Sequence, residues 1–268
     1  MFRTRRLVIS FVALLCACSA QGAGADAFTD ILERKVMRVG VSLFTPWAMR
    51  GKDGALTGAE IDIANKLAMD MGVTPEFKVY DWDAIIPALN KGEIDVIIAG
   101  MHITPKRALR VVFSRPYEAF GVGLATNTAM TRDINDLSGL NRAGIVITTV
   151  TETQAAELAP TLFPAAEIRA MSQPEAAEKL VVDGKAHAYI ATVDEARFLA
   201  LRHPGKVDVP LDEPLLRSEA GFAVRRGEQE LLNYFNAWIT ARKADRWLDA
   251  THKYWFETLR WMDEVAAP

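Results

Sequence analysis

The chain has 268 residues, of which 50% are hydrophobic and 24% charged, with a formal net charge of −3. That is enough chain for one large or two small domains with a sizeable core. The mild acidity, with no long basic run, excludes nucleic-acid binding of the electrostatic kind.

The N-terminus reads as an export signal. Arg3, Arg5 and Arg6 precede an apolar run at residues 7–15, broken only by Ser10, and small residues lead to Ala23-Gly24-Ala25. A basic start, a short apolar stretch and an A-x-A site make a secretory signal peptide over residues 1–25, followed by the exported chain. The apolar stretch is shorter than the roughly 20 residues a membrane span requires. Both cysteines, Cys16 and Cys18, fall inside this segment. Cleavage after Ala25 therefore leaves no thiol chemistry. An alternative reading takes Leu15-Cys16-Ala17-Cys18 as a lipoprotein box, with Cys18 as a lipid anchor.

Beyond the signal, residues 36–41 form a short β-rich run, and Asp53-Gly54 marks a hairpin over residues 48–56. Residues 58–71 have helical spacing, with Ile61, Ala64, Leu67, Ala68 and Met71 on one face, and Gly72 ends them. A strand at 76–80, a helix at 82–90 and an unbroken apolar strand at 94–99 follow. The alternation restarts with strands at 143–149, 168–171 and 188–191 and helices at 152–158, 174–183 and 194–201. A last strand at 219–224 leads into amphipathic helices reaching Trp261. Two such units predict an α/β protein of two lobes, each with a mostly parallel sheet, and a ligand cleft beyond the strands' carboxyl ends. The aromatic run Trp247, Tyr254, Trp255, Phe256 and Trp261 reads as helix packing against the first lobe. The four histidines lack metal-ligand spacing, and no phosphate-cradling glycine loop or nucleophilic serine motif is present.

Several stretches resemble the amino-acid type of periplasmic binding protein, solute-binding protein family 3. Residues 31–41 are similar to its first strand, Leu56-Thr57-Gly58-Ala59-Glu60-Ile61-Asp62 to its first long helix start, and Trp82-Asp83-Ala84-Ile85-Ile86-Pro87 to the next helix. The most specific run is Asp95-Val96-Ile97-Ile98-Ala99-Gly100-Met101-His102-Ile103-Thr104-Pro105-Lys106-Arg107, continuing to Phe113-Ser114-Arg115-Pro116-Tyr117. The resemblance implies a type II periplasmic-binding-protein fold. Lobe 1 would hold residues 26–119 and 222–268, and lobe 2 residues 123–218. Crossovers at 118–124 and 219–224 would serve as hinges for closure.

The resemblance also implies the site. Arg107 would grip a carboxylate, a task suited to a planar, always-charged guanidinium; spacing alone would leave it a surface arginine. Gly100 would offer bare backbone to the ligand, or be a plain turn glycine. Trp82 and Phe44 would wall the ligand's body, or pack in the core. Trp47 is expected to pack within its lobe. His102 stands where the family has a hydroxyl; it would donate a hydrogen bond, contribute charge when protonated, or face solvent. Thr151 and Gln154 read as a capping box at a helix start whose free amides suit an anion, or as a purely structural cap. Thr192 stands where the family's acidic partner for an α-ammonium would be, with Asp194 and Glu195 as nearby substitutes. The expected function is capture of an amino acid or related small carboxylate in the periplasm, by a monomer that delivers it to an ABC permease. No cofactor is implied.

A second resemblance is to cyclohexadienyl dehydratases, carried by Val182-Asp183-Gly184-Lys185-Ala186, Glu195-Ala196-Arg197 and His203-Pro204. Glu195 would match their catalytic acid. Their lysine in the first crossover falls at Val122, and their aspartate after the lobe-two strand at Thr192, so a non-enzymatic binding protein is expected. A lyase or a sensory receptor stands as the alternative.

Overall fold

A computed structural model of the chain describes residues 26–258 and 260–263. The expected export segment, with Cys16 and Cys18, lies outside them.

Helix α1 (Ala27–Arg34) is capped by the Asp26 carboxylate, which accepts from the Thr29 amide, and buries Ile31 fully. It leads to β1 (Val36–Val41), the hairpin β2 (Met49–Arg50) and β3 (Leu56–Thr57), and α2 (Ala59–Met71). Gly58 permits that helix start. Its φ is 135°, and a Cβ there would lie 2.3 Å from the Trp47 carbonyl oxygen. The close approach lets the Ala59 and Glu60 amides donate to the Pro46 and Trp47 carbonyls. Gly72, in the left-handed region, ends the helix.

Next come β4 (Thr74–Val79), α3 (Trp82–Asn90), β5 (Val96–Ile97), α4 (Pro105–Ala108) and β6 (Val112–Phe113). The chain then enters the ten-residue β7 (Glu118–Asn127), followed by β8 (Val146–Val150), α5 (Gln154–Leu162), β9 (Glu167–Met171), α6 (Pro174–Val182), β10 (Ala188–Thr192), α7 (Val193–Arg202), β11 (Val207–Asp208) and β12 (Leu216–Ala220). It returns through β13 (Ala223–Val224) to α8 (Gln229–Ala244), α9 (Trp247–His252), a π turn (Lys253–Thr258) and a 3-10 turn (Arg260–Asp263).

Two sheets result. The first has the order β4-β1-β5-β13-β6, with β1 parallel to β4 and β5 and with β13 antiparallel. The second has the order β11-β7-β10-β8-β9, with β12 on β7; its β8, β9 and β10 run parallel. The α/β architecture is the one expected. Three local expectations change. The apolar run 94–99 pairs as a strand only at Val96–Ile97. The expected strand 219–224 divides into β12 and β13, which belong to different sheets. The helix expected at 152 begins at Gln154, because Glu152 takes a left-handed φ of 59° and Thr153 becomes the cap.

The C-terminal aromatics Trp255, Phe256 and Trp261 are buried in the larger core of the first sheet. Contacts also tie this segment to the second sheet's side: the Trp261 ring meets Phe198 edge-on at 5.4 Å, Phe256 meets Phe120 of β7 at 6.1 Å, and Arg197 donates to the Phe256 carbonyl.

Candidate functional site

A cavity of about 50 Å³ lies between the two sheets. The first sheet's side contributes Phe44, Trp47, Trp82, Gly100, His102 and Arg107; the other contributes Val122, Val150, Thr153, Gln154, Tyr189, Thr192 and Glu195, among others. At roughly 10–15 Å³ per water, the space suits a few waters, so admitting a metabolite requires the walls to move apart.

Arg107 belongs to the short α4, which Pro105 starts and Thr104 caps by accepting from the Arg107 amide at 3.2 Å. The turn aims the guanidinium inward, leaving the residue 9% exposed. Its Nη1 donates to the His102 carbonyl at 2.9 Å, and its Nη2 reaches across to the Glu152 carbonyl at 2.8 Å. The cation also sits 5.3 Å from the centre of the Trp82 ring. Burial lowers its pKa to about 10, partly offset by Glu157 and Glu152, so it remains charged at neutral pH. Trp82 donates from Nε1 to the same Glu152 carbonyl at 3.1 Å and meets Phe44 edge-on at 5.4 Å. Trp47 does both jobs: it packs on Phe120 and Phe256 and lines the cavity.

His102 is 7% exposed, with Nδ1 2.7 Å from Gln154 Oε1 across the cleft. Burial, then the charge of Arg107, pushes its pKa down to about 4. It is therefore a neutral hydrogen-bonding group, neither a cation nor a solvent-facing ring. Gly100 has φ 60°, and a Cβ there would strike the Trp47 ring at 2.9 Å. Its amide donates to the Tyr117 hydroxyl at 3.1 Å, which in turn donates to Glu60 Oε1 at 2.5 Å.

On the opposite wall, Thr192 caps α7 in a complete capping box. Glu195 Oε2 accepts from the Thr192 amide at 3.1 Å and hydroxyl at 2.8 Å, and Oε1 accepts from the Tyr189 hydroxyl at 3.3 Å. Burial, assisted by the charge of Glu178, raises this carboxyl to about 7, against the hydrogen bonds from Thr192 and Tyr189. Asp194 points elsewhere, into a groove shared with His252, Arg217 and Glu219.

Seven of the eight expected site residues thus meet around one cavity. Thr151 does not. Its amide donates to the Met171 carbonyl, and the left-handed turn at Glu152 hands the cap to Thr153, so the expected Thr151–Gln154 capping box does not form. Sequence reasoning missed Tyr189 and the Glu60–Tyr117 prop beneath Gly100. Tyr189 was legible only as one residue of a buried strand, and Gln154 only as a cap partner.

The model of the bacterial extracellular solute-binding proteins, family 3, matches residues 37–258. The L-cystine-binding protein TcyJ of Escherichia coli (strain K12) is 28% identical over 253 residues, spanning 91% of this chain and 92% of that protein. Among solved structures, an ancestral amino acid-binding protein described as a precursor of cyclohexadienyl dehydratase superposes with a TM-score of 0.80 at 32% identity, covering 87% of this chain and 100% of its own. A putative ABC-transporter binding component from Wolinella succinogenes, complexed with lysine, gives a TM-score of 0.81 at 28% identity, covering 86% and 99%.

Proposed function

Because the chain belongs to the bacterial extracellular solute-binding proteins, family 3, we propose that it holds its ligand's carboxylate on Arg107 while two lobes close around it. The protein is an extracytoplasmic solute-binding protein of the amino-acid type, with the type II periplasmic-binding-protein fold, and it serves ABC-type import of an amino acid or related small carboxylate. The lobes take the described residues 26–119 with 222–258 and 260–263, and residues 123–218, hinged where the chain passes between the sheets. The observation that carries the reading is Arg107 itself. It is a buried cation on a cleft wall, and its hydrogen-bond partners are two carbonyls rather than a carboxylate. Buried guanidinium in that setting gains most from a bidentate anion. Trp82 and Phe44 then face the ligand's body, and Gly100, His102, Thr192 and Glu195 complete the walls.

A thermal-shift screen of small carboxylates against amines of matched skeleton tests this. Ligand at 100-fold its dissociation constant adds about 2.7 kcal/mol of stability. The account expects shifts only from compounds bearing a carboxylate; shifts from amines alone would remove Arg107 from the centre of the site. Export by residues 1–25 is tested by intact-mass analysis of the secreted protein. A chain starting at Asp26 is expected, and a chain starting at a diacylated Cys18 would replace cleavage after Ala25 with the lipoprotein route.

One observation favours a second reading. The Glu195 carboxyl is raised toward neutrality at the cavity wall, as a general acid would be. The second-lobe resemblance to cyclohexadienyl dehydratases, one of which is 23% identical over 261 residues, points the same way. Against it, both Glu195 oxygens accept hydrogen bonds within the helix cap and from Tyr189. Steady aromatic product from prephenate with the purified protein would establish catalysis; a flat trace supports binding alone.

A further inference from the structure

We propose, resting on the reading of two lobes that close, that the C-terminal segment carrying Trp255, Phe256 and Trp261 is a strap that grips helix α7 and favours the closed arrangement. Phe198 and Arg197 then act as positioning residues, tuning the cleft's affinity from outside it. Three observations carry this.

The first is where the segment is rooted. Trp255 donates from Nε1 to Asp62 of α2 at 2.8 Å, and Trp261 donates from Nε1 to the Trp255 carbonyl at 2.6 Å. The Phe256 ring meets Trp47 edge-on at 5.0 Å. All three aromatics are buried in the larger core of the first sheet, so the segment moves with lobe 1.

The second is the division of α7 between two cores. Ala196 and Leu199 pack with Tyr189 in a core of the second sheet, so the helix moves with lobe 2. Phe198, 1% exposed, belongs instead to the first sheet's core, where its ring meets Trp261. Beside it, Arg197 donates from Nη1 to the Phe256 carbonyl at 3.2 Å. One turn earlier, Asp194 shares a groove with His252, whose Nδ1 lies 3.0 Å from Glu118 at the start of β7. Positions 194, 197 and 198 have the spacing of one helix face. That face is turned toward the C-terminal segment.

The third is the coupling to the cleft. The same helix begins on the cavity wall with Thr192 and Glu195, whereas Arg197, Phe198, Phe256 and Trp261 line no part of it. The grip on α7 therefore fixes where that wall stands. The edge-on packing of Trp261 on Phe198 holds in one orientation of the lobes, the one in which His102 meets Gln154 and Arg107 meets the Glu152 carbonyl. Parting the lobes exposes both rings to water, which weights the equilibrium toward closure. Apparent ligand affinity falls with the closed fraction.

The test reads that fraction directly, with no ligand added. Ala84 of α3 and Glu175 of α6 are exposed on opposite lobes. The chain from Asp26 has no cysteine of its own, so Ala84→Cys with Glu175→Cys takes two spin labels. Double electron–electron resonance is expected to show a short, closed distance beside a longer one. Phe198→Ala should cut the short-distance fraction about tenfold. Arg197→Ala, at an exposed position, should cut it about twofold. Phe198→Leu, which keeps apolar bulk, should retain most of it. A merely structural role would lower the melting temperature without moving the ratio of the two distances. Two distances in the same ratio in every protein overturn the strap and leave closure standing, as does one long distance common to all. One short distance common to all overturns the strap and the closing lobes together.

Discussion

Glu60 sits 1% exposed beneath Gly100, joined to it through the Tyr117 hydroxyl, and its Oε2 has no hydrogen-bond partner among the described residues. Desolvation raises its pKa from 4.5 to about 8, outweighing the bond from Tyr117. The folded chain therefore holds this proton more tightly than the unfolded chain. Its stabilising contribution is complete below about pH 4.5 and is lost as pH rises toward 8. Glu60→Gln keeps the acceptor for Tyr117 and removes the titration. Urea unfolding at pH 5 and pH 8 should show the variant gaining on the wild type by on the order of 3 kcal/mol at the higher pH, from about 1.4 kcal/mol per pKa unit. Parallel pH profiles would contradict this. At this scale the sequence was legible where one short motif carried the chemistry, as at Gly100, His102 and Arg107. It was not legible where the partner is distant. Nothing in the spacing around Glu60 announces Tyr117, 57 residues away in the chain.

Elements followed their local signals where burial had one clear face, as in α2 and α3, whose ends lie within a residue of those expected. They departed where tertiary contacts decided. The stretch 219–224 reads as one strand, yet Gly221 carries the chain from one sheet to the other, close against the Ser114 carbonyl and Ile103. At 151–154, the left-handed Glu152 turns its carbonyl toward Arg107 and Trp82, and the helix starts two residues later than its residues suggest. No periodicity encodes that turn. Gly58 shows the converse, a glycine whose role the sequence marks and the packing explains. Gly58→Ala would press a Cβ against the Trp47 backbone in a strained conformation. Thermal or urea unfolding should register a loss of about 2–3 kcal/mol, the upper range for such strain. A loss below about 0.5 kcal/mol would show that the helix start can shift aside.

Across the whole molecule, the cleft is spanned by polar contacts that tie one side to the other. His102 meets Gln154, Arg107 and Trp82 share the Glu152 carbonyl, and Lys106 pairs with Glu157. At the cleft rim, Gln173 donates to Asp81 at 2.6 Å. These contacts cost little to part at the exposed rim and more at the buried Arg107, which suits a cleft that opens for a ligand and shuts on it. The two-lobed plan was legible because strand and helix patterns restart after β7; the way the walls meet was not, since each contact joins segments far apart in sequence. The most direct test takes the carboxylate that raises the melting temperature most and titrates it into wild type and Arg107→Ala by calorimetry. Loss of the buried cation should weaken binding by about 2–5 kcal/mol, roughly 30-fold or more. Equal affinity in the two proteins would contradict a cleft organised around Arg107.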